Sequence, residues 1–234
     1  MPALACVARG AMNRFVDLTQ TKFSPTRNPL TYSKVKHVLG PIMRAWPIRK
    51  RPQQGAYLNI GAGPHANPGF FNVDYDYHSG IDLYWDLRRR LPISDATIGG
   101  IFSEHCLEHL GYDIAQQALC DFHRVLMPGA TIRISVPDGG LYARRFAAGE
   151  ALPFQAEETA RDLDWTAMQS LNMVFYGHGH RFIYDFTTMA RCLSSAGFVD
   201  VRQEEIGQGR DPRLLIDQPA RARESLYVEA SKAF

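Results

Sequence analysis

Five short apolar runs stand in a row between residues 56 and 138, and they constrain the fold more than any other feature of the chain. They are AYLNI (56–60), FFNVD (70–74), IDLYWDL (81–87), GGIFSEH (99–105) and TIRISVPD (131–138). Their length and their abrupt ends at a glycine, an acid or a histidine suit buried strands of a parallel sheet. Between the fourth and fifth, residues 113–126 place Ile114, Leu119, Phe122, Val125 and Leu126 at helical intervals. MPGA (127–130) then reads as a turn. Strand, helix and strand in that order need crossover connections, so a mostly parallel α/β sheet is expected. Residues 185–196 add a helix closed by Gly197, and FVDVRQEEI and ESLYVEASKA supply two last strands.

The 234 residues, 45% hydrophobic and 21% charged, suffice for one substantial domain with an arm. No apolar run approaches the roughly 18–20 residues that span a bilayer. The opening MPALACVARGAMNRF carries Arg9 inside its apolar stretch and reads poorly as a signal peptide, so a cytoplasmic location is expected. Cys6, Cys106, Cys120 and Cys192 form no CxxC pair, which argues against a disulfide framework and a zinc site. Charge is uneven: 10 of the 26 Lys and Arg fall in residues 1–51, against one of the 24 Asp and Glu. Residues 1–54 therefore read as a basic arm with a helix over Tyr32–Trp46, and residues 55–234 as the main domain. Such an arm suits an anionic substrate, a membrane surface or the arm's own acidic domain. Residues 139–180 break the strand–helix rhythm and read as a lid or substrate-binding insertion.

The chemistry centres on NIGAGPH, where an apolar strand meets a turn. Gly61 and Gly63 let the backbone bend sharply and approach a ligand where a Cβ would clash. Asp74 ends the next strand, and a carboxylate there can accept both hydroxyl hydrogens of a ribose. The interval from Gly61 to Asp74 is well short of the roughly 20 residues of dinucleotide-binding proteins. Ala66 also stands where GxGxxG requires glycine, so NAD is disfavoured.

The segments LNIGAGPHANPGFFNVDYD, DLYWDLRRRLPISDATIGGIFSEHCLEHL and RVLMPGATIRISVPD follow in unbroken order over about residues 57–138. Together they resemble the class I S-adenosylmethionine (SAM)-dependent methyltransferase superfamily. The likeness is to the type 11-like subgroup common in bacterial surface-polysaccharide and natural-product biosynthesis. HRFIYDFTTMARCLSSAGFVDV matches the late helix and strand of that superfamily. The resemblance implies a Rossmann-like, mostly parallel seven-stranded sheet with helices on both faces. It implies SAM as cofactor, S-adenosylhomocysteine as product, and a small-molecule or glycan acceptor, foremost a sugar hydroxyl. Carried over by position, Gly61 and Gly63 pass beneath the methionine and ribose, with Asn59 and Ile60 entering the turn. Asp74 holds the ribose, Asp86 and Leu87 flank adenine, and Ser103 and Glu104 line the cofactor. Asn59 stands where the family often has an acid, His65 at the third glycine position, and Ala130 at a second turn glycine.

Methyl transfer from a sulfonium is an in-line displacement, helped by a base when the acceptor is a hydroxyl. His105, at the strand end facing the acceptor, is the first candidate and His180 the second. His178 and His180 without a third ligand argue against a metal, so none is expected. Other readings stay open: methylation of another metabolite, a nucleic-acid methyltransferase, or a non-catalytic interaction protein of the same fold. Against nucleic acid stand the lack of an NPPY-like tetrapeptide and of an RNA-binding module; against the last stand intact Gly61, Gly63, Asp74 and Asp86.

Overall fold

The computed structural model describes residues 50–153 and 165–234. The helix expected over Tyr32–Trp46, nearly all of the 1–54 arm and the middle of the 139–180 segment lie outside those residues. Seven strands form one sheet: β1 (Ala56–Ile60), β2 (Phe71–Asp74), β3 (Leu83–Tyr84), β4 (Ile98–Glu104), β5 (Leu126–Pro137), β6 (Phe198–Glu204) and β7 (Ser225–Lys232). Their order is β3-β2-β1-β4-β5-β7-β6. Neighbours from β3 to β5 are parallel, and β7 runs antiparallel to both β5 and β6. A Rossmann sheet has the order 3-2-1-4-5-6; here an antiparallel strand is inserted beside the fifth. The switch in strand order between β1 and β4 opens a crevice at their C-terminal ends.

Strand alternation gives the sheet two different faces. Leu58 and Ile60 of β1, Ile101 of β4, Ile132, Ile134 and Val136 of β5, and Val228 of β7 form the main core. Two helices cover this face: α1 (Tyr112–Val125), through Leu119 and Phe122, and, further along, the helix Phe186–Ser195, through Met189 and Leu193. The intervening helices are α2 (Gly139–Ala148) and α3 (Ala167–Tyr176), so the helix at Phe186–Ser195 is α4. The other face carries Tyr57, Asn59, Phe102, Glu104, Arg133 and Glu229. Among the described residues it is covered by the segment 205–218 between β6 and β7, which seats Leu214 on Tyr57 and Phe102. Among the described residues α1 and α4 pack on the first face and the short 3-10 helix Pro212–Leu214 on the second.

Arg133 fastens that segment. Its side chain is fully buried, and all five of its donors are used. Nε and Nη2 donate to Asp217 at 2.8 and 2.6 Å, and Nη1 donates to Glu229 at 3.0 Å. Nη1 and Nη2 also donate to the carbonyls of Gln208 and Glu205. The two carboxylates in turn accept from the backbone of Gly207 and Arg210.

Caps fix the helices. The Asp138 side chain accepts from Leu141 N–H at the start of α2, so its role here is a cap. Thr166 and Gln169 form a capping box at α3, and Asp185 accepts from Thr188 N–H at α4. Gly197, at φ +96°, follows the last turn of α4 as expected. Two local expectations change. IDLYWDL is a strand only at Leu83–Tyr84, because Asp86 accepts from both the backbone and the guanidinium of Arg88 and turns the chain. The MPGA turn lies inside β5: Ile98 pairs with Leu126 and Gly100 with Thr131, so residues 127–130 bulge out opposite Gly99.

Removing one member of the buried network leaves uncompensated charge. Arg133→Met should lower the unfolding free energy by about 3–5 kcal/mol, read from urea denaturation. At α4 the hydrogen bond from Thr188 holds the Asp185 carboxyl below its ordinary pKa. Asp185→Ala should cost about 1 kcal/mol at neutral pH. A carboxyl depressed in the folded state stabilises above its unfolded pKa. The difference between variant and wild type should therefore fade as the pH falls through the lowered pKa.

Candidate functional site

The turn after β1 is held without a crossover helix. Gly61 and Ala62 donate backbone N–H to Val73 O at the end of β2. Gly63 N–H donates to Asp74 Oδ2 at 2.7 Å, and Asp76 N–H to Oδ1 at 2.6 Å. Below them, buried Asn72 links the loop to the sheet. Its Oδ1 accepts from Asn59 Nδ2 and Asn67 N–H, while its Nδ2 donates to the carbonyls of Asn67 and Phe70. Gly61 sits at φ +72°, and a Cβ on it would lie 2.5 Å from Cys106 Cβ. Only glycine meets both demands.

Asn59, Gly61, Ala62, His65, Asn67, Phe102, Glu104, Ile216 and Gln218 line a cavity of about 120 Å³ at the strand ends. Glu104 is tied to the covering segment, accepting from Gln218 N–H at 3.0 Å. Burial pushes its carboxyl pKa up, against the hydrogen bond from Gln218. The structure thus brings Asn59, Gly61 and Glu104 to one cavity, while Gly63 and Asp74, bonded to each other, are not among its lining residues. Ile60 and Ser103 are fully buried and are not among the residues that line it. Leu87 packs against the main core, and Asp86 is engaged with Arg88. A second groove of about 330 Å³ is lined by Arg88, Arg89, Arg90, Arg124 and their neighbours, and it shares only Leu87 with the expected site.

Beyond Cys106 the chain makes a short turn, Leu107–His109, and there a polar cluster forms. His105, at φ +47°, brings Nε2 to 2.7 Å from Ser225 Oγ, with Nδ1 3.4 Å from Glu108 Oε1. Nε2 of the first base candidate is therefore taken by Ser225, while Nδ1 faces the Glu108 carboxyl. Burial lowers its pKa to about 2, aided by the charge on Arg221. Glu108 is fully buried, its pKa raised to about 8 by desolvation, and among the described residues neither carboxylate oxygen has a hydrogen-bond partner. The contact between them is one of neutral groups rather than an ion pair. His180, half-buried, hydrogen-bonds the Val174 carbonyl through Nδ1 at 2.6 Å. Its ring lies 5.0 Å from that of His109, whose pKa burial lowers to about 4.

No family model matches the chain, and no curated protein does. Solved structures do. A SAM-dependent methyltransferase of Archaeoglobus fulgidus superposes with TM-score 0.50 at 16% identity, covering 87% of this chain and 93% of that one. The chain has a Rossmann-like methyltransferase fold. A SAM-dependent methyltransferase of Thermotoga maritima gives TM-score 0.46 at 13% identity, covering 94% and 98% of the two chains. Phosphoethanolamine N-methyltransferase 2 of Haemonchus contortus, in complex with SAM, gives 0.44 at 12%, covering 84% of this chain and 52% of that one. The chain thus spans about half the length of the last.

Sequence reasoning passed over Asn72, Cys106 and Glu108. An asparagine beside a strand-ending acid and an acid between two histidines, H-C-L-E-H, were the available signals. Gln218 and Arg221 lie far along the chain in a loop with no pattern, and nothing local marks them. Gly61→Ala should destabilise by about 1–2 kcal/mol from the left-handed backbone alone, and further through Cys106. Gly55→Ala, at φ +78° with open space around it, measures the backbone part; a larger fall in melting temperature for Gly61→Ala checks the contact.

Proposed function

We propose that the protein is a SAM-dependent methyltransferase acting on a small-molecule or glycan acceptor, with a sugar hydroxyl foremost. The observation that carries this reading is the glycine turn at the β1–β4 switch point, clamped by the acid that ends β2. Asp74 ends β2 beside this turn, and a carboxylate is an acceptor of the kind that suits ribose hydroxyls. The cavity is smaller than the roughly 300 Å³ of ordinary ligand sites, so binding requires Ile216–Gln218 to move outward. Glu104 then exchanges the Gln218 N–H for the methionine end of the cofactor. Asp86 and Leu87, on the turn after β3, take the adenine side.

SAM supplies an electrophilic methyl when bound; the chain's own part is to bind, orient and exclude water. The acceptor lies beyond Cys106, beside the histidine cluster. His105, held between Ser225 and Glu108, positions the wall of that site. His180, fixed through Nδ1, presents Nε2 for the acceptor's hydroxyl proton.

Calorimetric titration of SAM and S-adenosylhomocysteine into the protein tests the reading. Micromolar binding, about −8 kcal/mol, abolished in folded Asp74→Ala, is expected. A folded wild type that binds neither compound overturns the proposal.

A further inference from the structure

The cluster beside the glycine turn contains a group that the methyltransferase reading does not use. Glu108 is fully buried, and among the described residues both its carboxylate oxygens lack hydrogen-bond partners. Leaving such a group unsatisfied costs about 1–3 kcal/mol, and more when it is charged. The nitrogens facing it belong to His105, at 3.4 Å, and His109, at 4.0 Å. Ligand atoms of Glu108, His109 and His180 all lie within 4.8 Å of one another.

We propose that Glu108, His109 and His180 form a binding site for a single divalent transition-metal ion of zinc-like preference. The two histidines are already oriented as ligands. His180 engages the Val174 carbonyl through Nδ1, and His109 turns Nε2 toward Glu108, 4.0 Å from Oε1. One ring nitrogen on a backbone group fixes the tautomer and frees the other for a metal. The two segments that supply the donors are locked together, because Arg181 N–H and Phe182 N–H both donate to the Glu108 carbonyl, at 2.7 and 3.2 Å. A contraction toward the ~3.3 Å ligand spacing of a tetrahedral site, with bonds near 2.0–2.1 Å, is a side-chain movement only.

Donor chemistry selects the metal class. Two imidazoles and one carboxylate suit zinc and its neighbours, whereas calcium and magnesium require oxygen ligands. Three protein ligands leave a coordination position open, as in catalytic rather than structural zinc sites. His109 is 42% exposed and gives the ion a path from solvent. His178, at φ +55°, carries its ring 5.7 Å from that of His180 at the mouth of the site. This placement revises the expectation of no metal: the partners of His180 are Glu108 and His109, distant in sequence, rather than His178. What the ion does rests on the methyltransferase reading, in which it holds an oxygen-bearing acceptor at the end of β4 and so takes over from His180, whose Nε2, once bound to the ion, has no lone pair for the acceptor's proton. Binding of the ion does not rest on it.

The test uses tag-free full-length protein, stripped with chelator and titrated with Co²⁺ by visible absorbance and with Zn²⁺ by calorimetry. One ion per chain is expected, with weakening of at least about 100-fold in Glu108→Gln and in His180→Ala. His123→Ala, on a histidine that stacks on Phe198 outside the cluster, should bind like wild type. Circular dichroism of each variant establishes folding, and His180→Ala, at the half-exposed rim, covers the case in which Glu108→Gln does not fold. Absence of Co²⁺ and Zn²⁺ binding by wild type, or undiminished binding by folded His180→Ala, overturns the proposal. SAM titration of the same samples separates failure of the metal site from failure of the methyltransferase reading.

Discussion

Arg133 points away from the apolar core, into the face of the sheet covered by the segment 205–218. A guanidinium taken out of water must have every donor met, and the groups that meet it come from Glu205, Gln208, Asp217 and Glu229. Four of the five bonds reach the segment after β6, so satisfying one charge folds a long irregular stretch onto the sheet. The same stretch delivers Gln218 to Glu104 and Leu214 to Tyr57 and Phe102. Arg213 stacks on Tyr57, 4.0 Å from the ring centroid, and Asp211 accepts from the Tyr57 hydroxyl. The wall of the cavity at the strand ends is thus a consequence of a polar interaction some distance from it.

The glycine turn shows a related economy. Parallel neighbours such as β1 and β2 are usually joined through a helix, but Pro64, Pro68 and Gly69 break any helix between them. The Asn59–Asn72–Asn67 hydrogen bonds and the Asp74 carboxylate do the holding instead. Buried amides of this kind are rigid when every member is satisfied. That rigidity lets Gly61 rest against Cys106 and places the turn beside the histidine cluster.

Buried polar groups therefore fall into two classes here. Those of the Arg133 network and the asparagine network are fully met within the protein, and they build structure. Glu108 is buried with its oxygens unmet among the described residues, beside imidazoles of which His180 is anchored to backbone and His105 to Ser225. A fold keeps an unmet group of that sort where something else completes it.

Sequence alone determined the strands, the helices on the core face and the position of the glycine turn. Each is written in local spacing: two-residue alternation, 3.6-residue periodicity, and glycine where the backbone must turn left-handed. IDLYWDL misled because its apolar pattern outlasts the pairing that Asp86 ends through Arg88. The residues that surround the turn were legible only in part. Asn59, Gly61, Gly63 and Asp74 are close in sequence and could be read together. Glu108 with His180, Glu104 with Gln218, and Arg133 with Asp217 are separated by tens of residues, and no local period relates them. Only the tertiary structure decided those pairs, because they meet through burial and charge compensation after the sheet has formed.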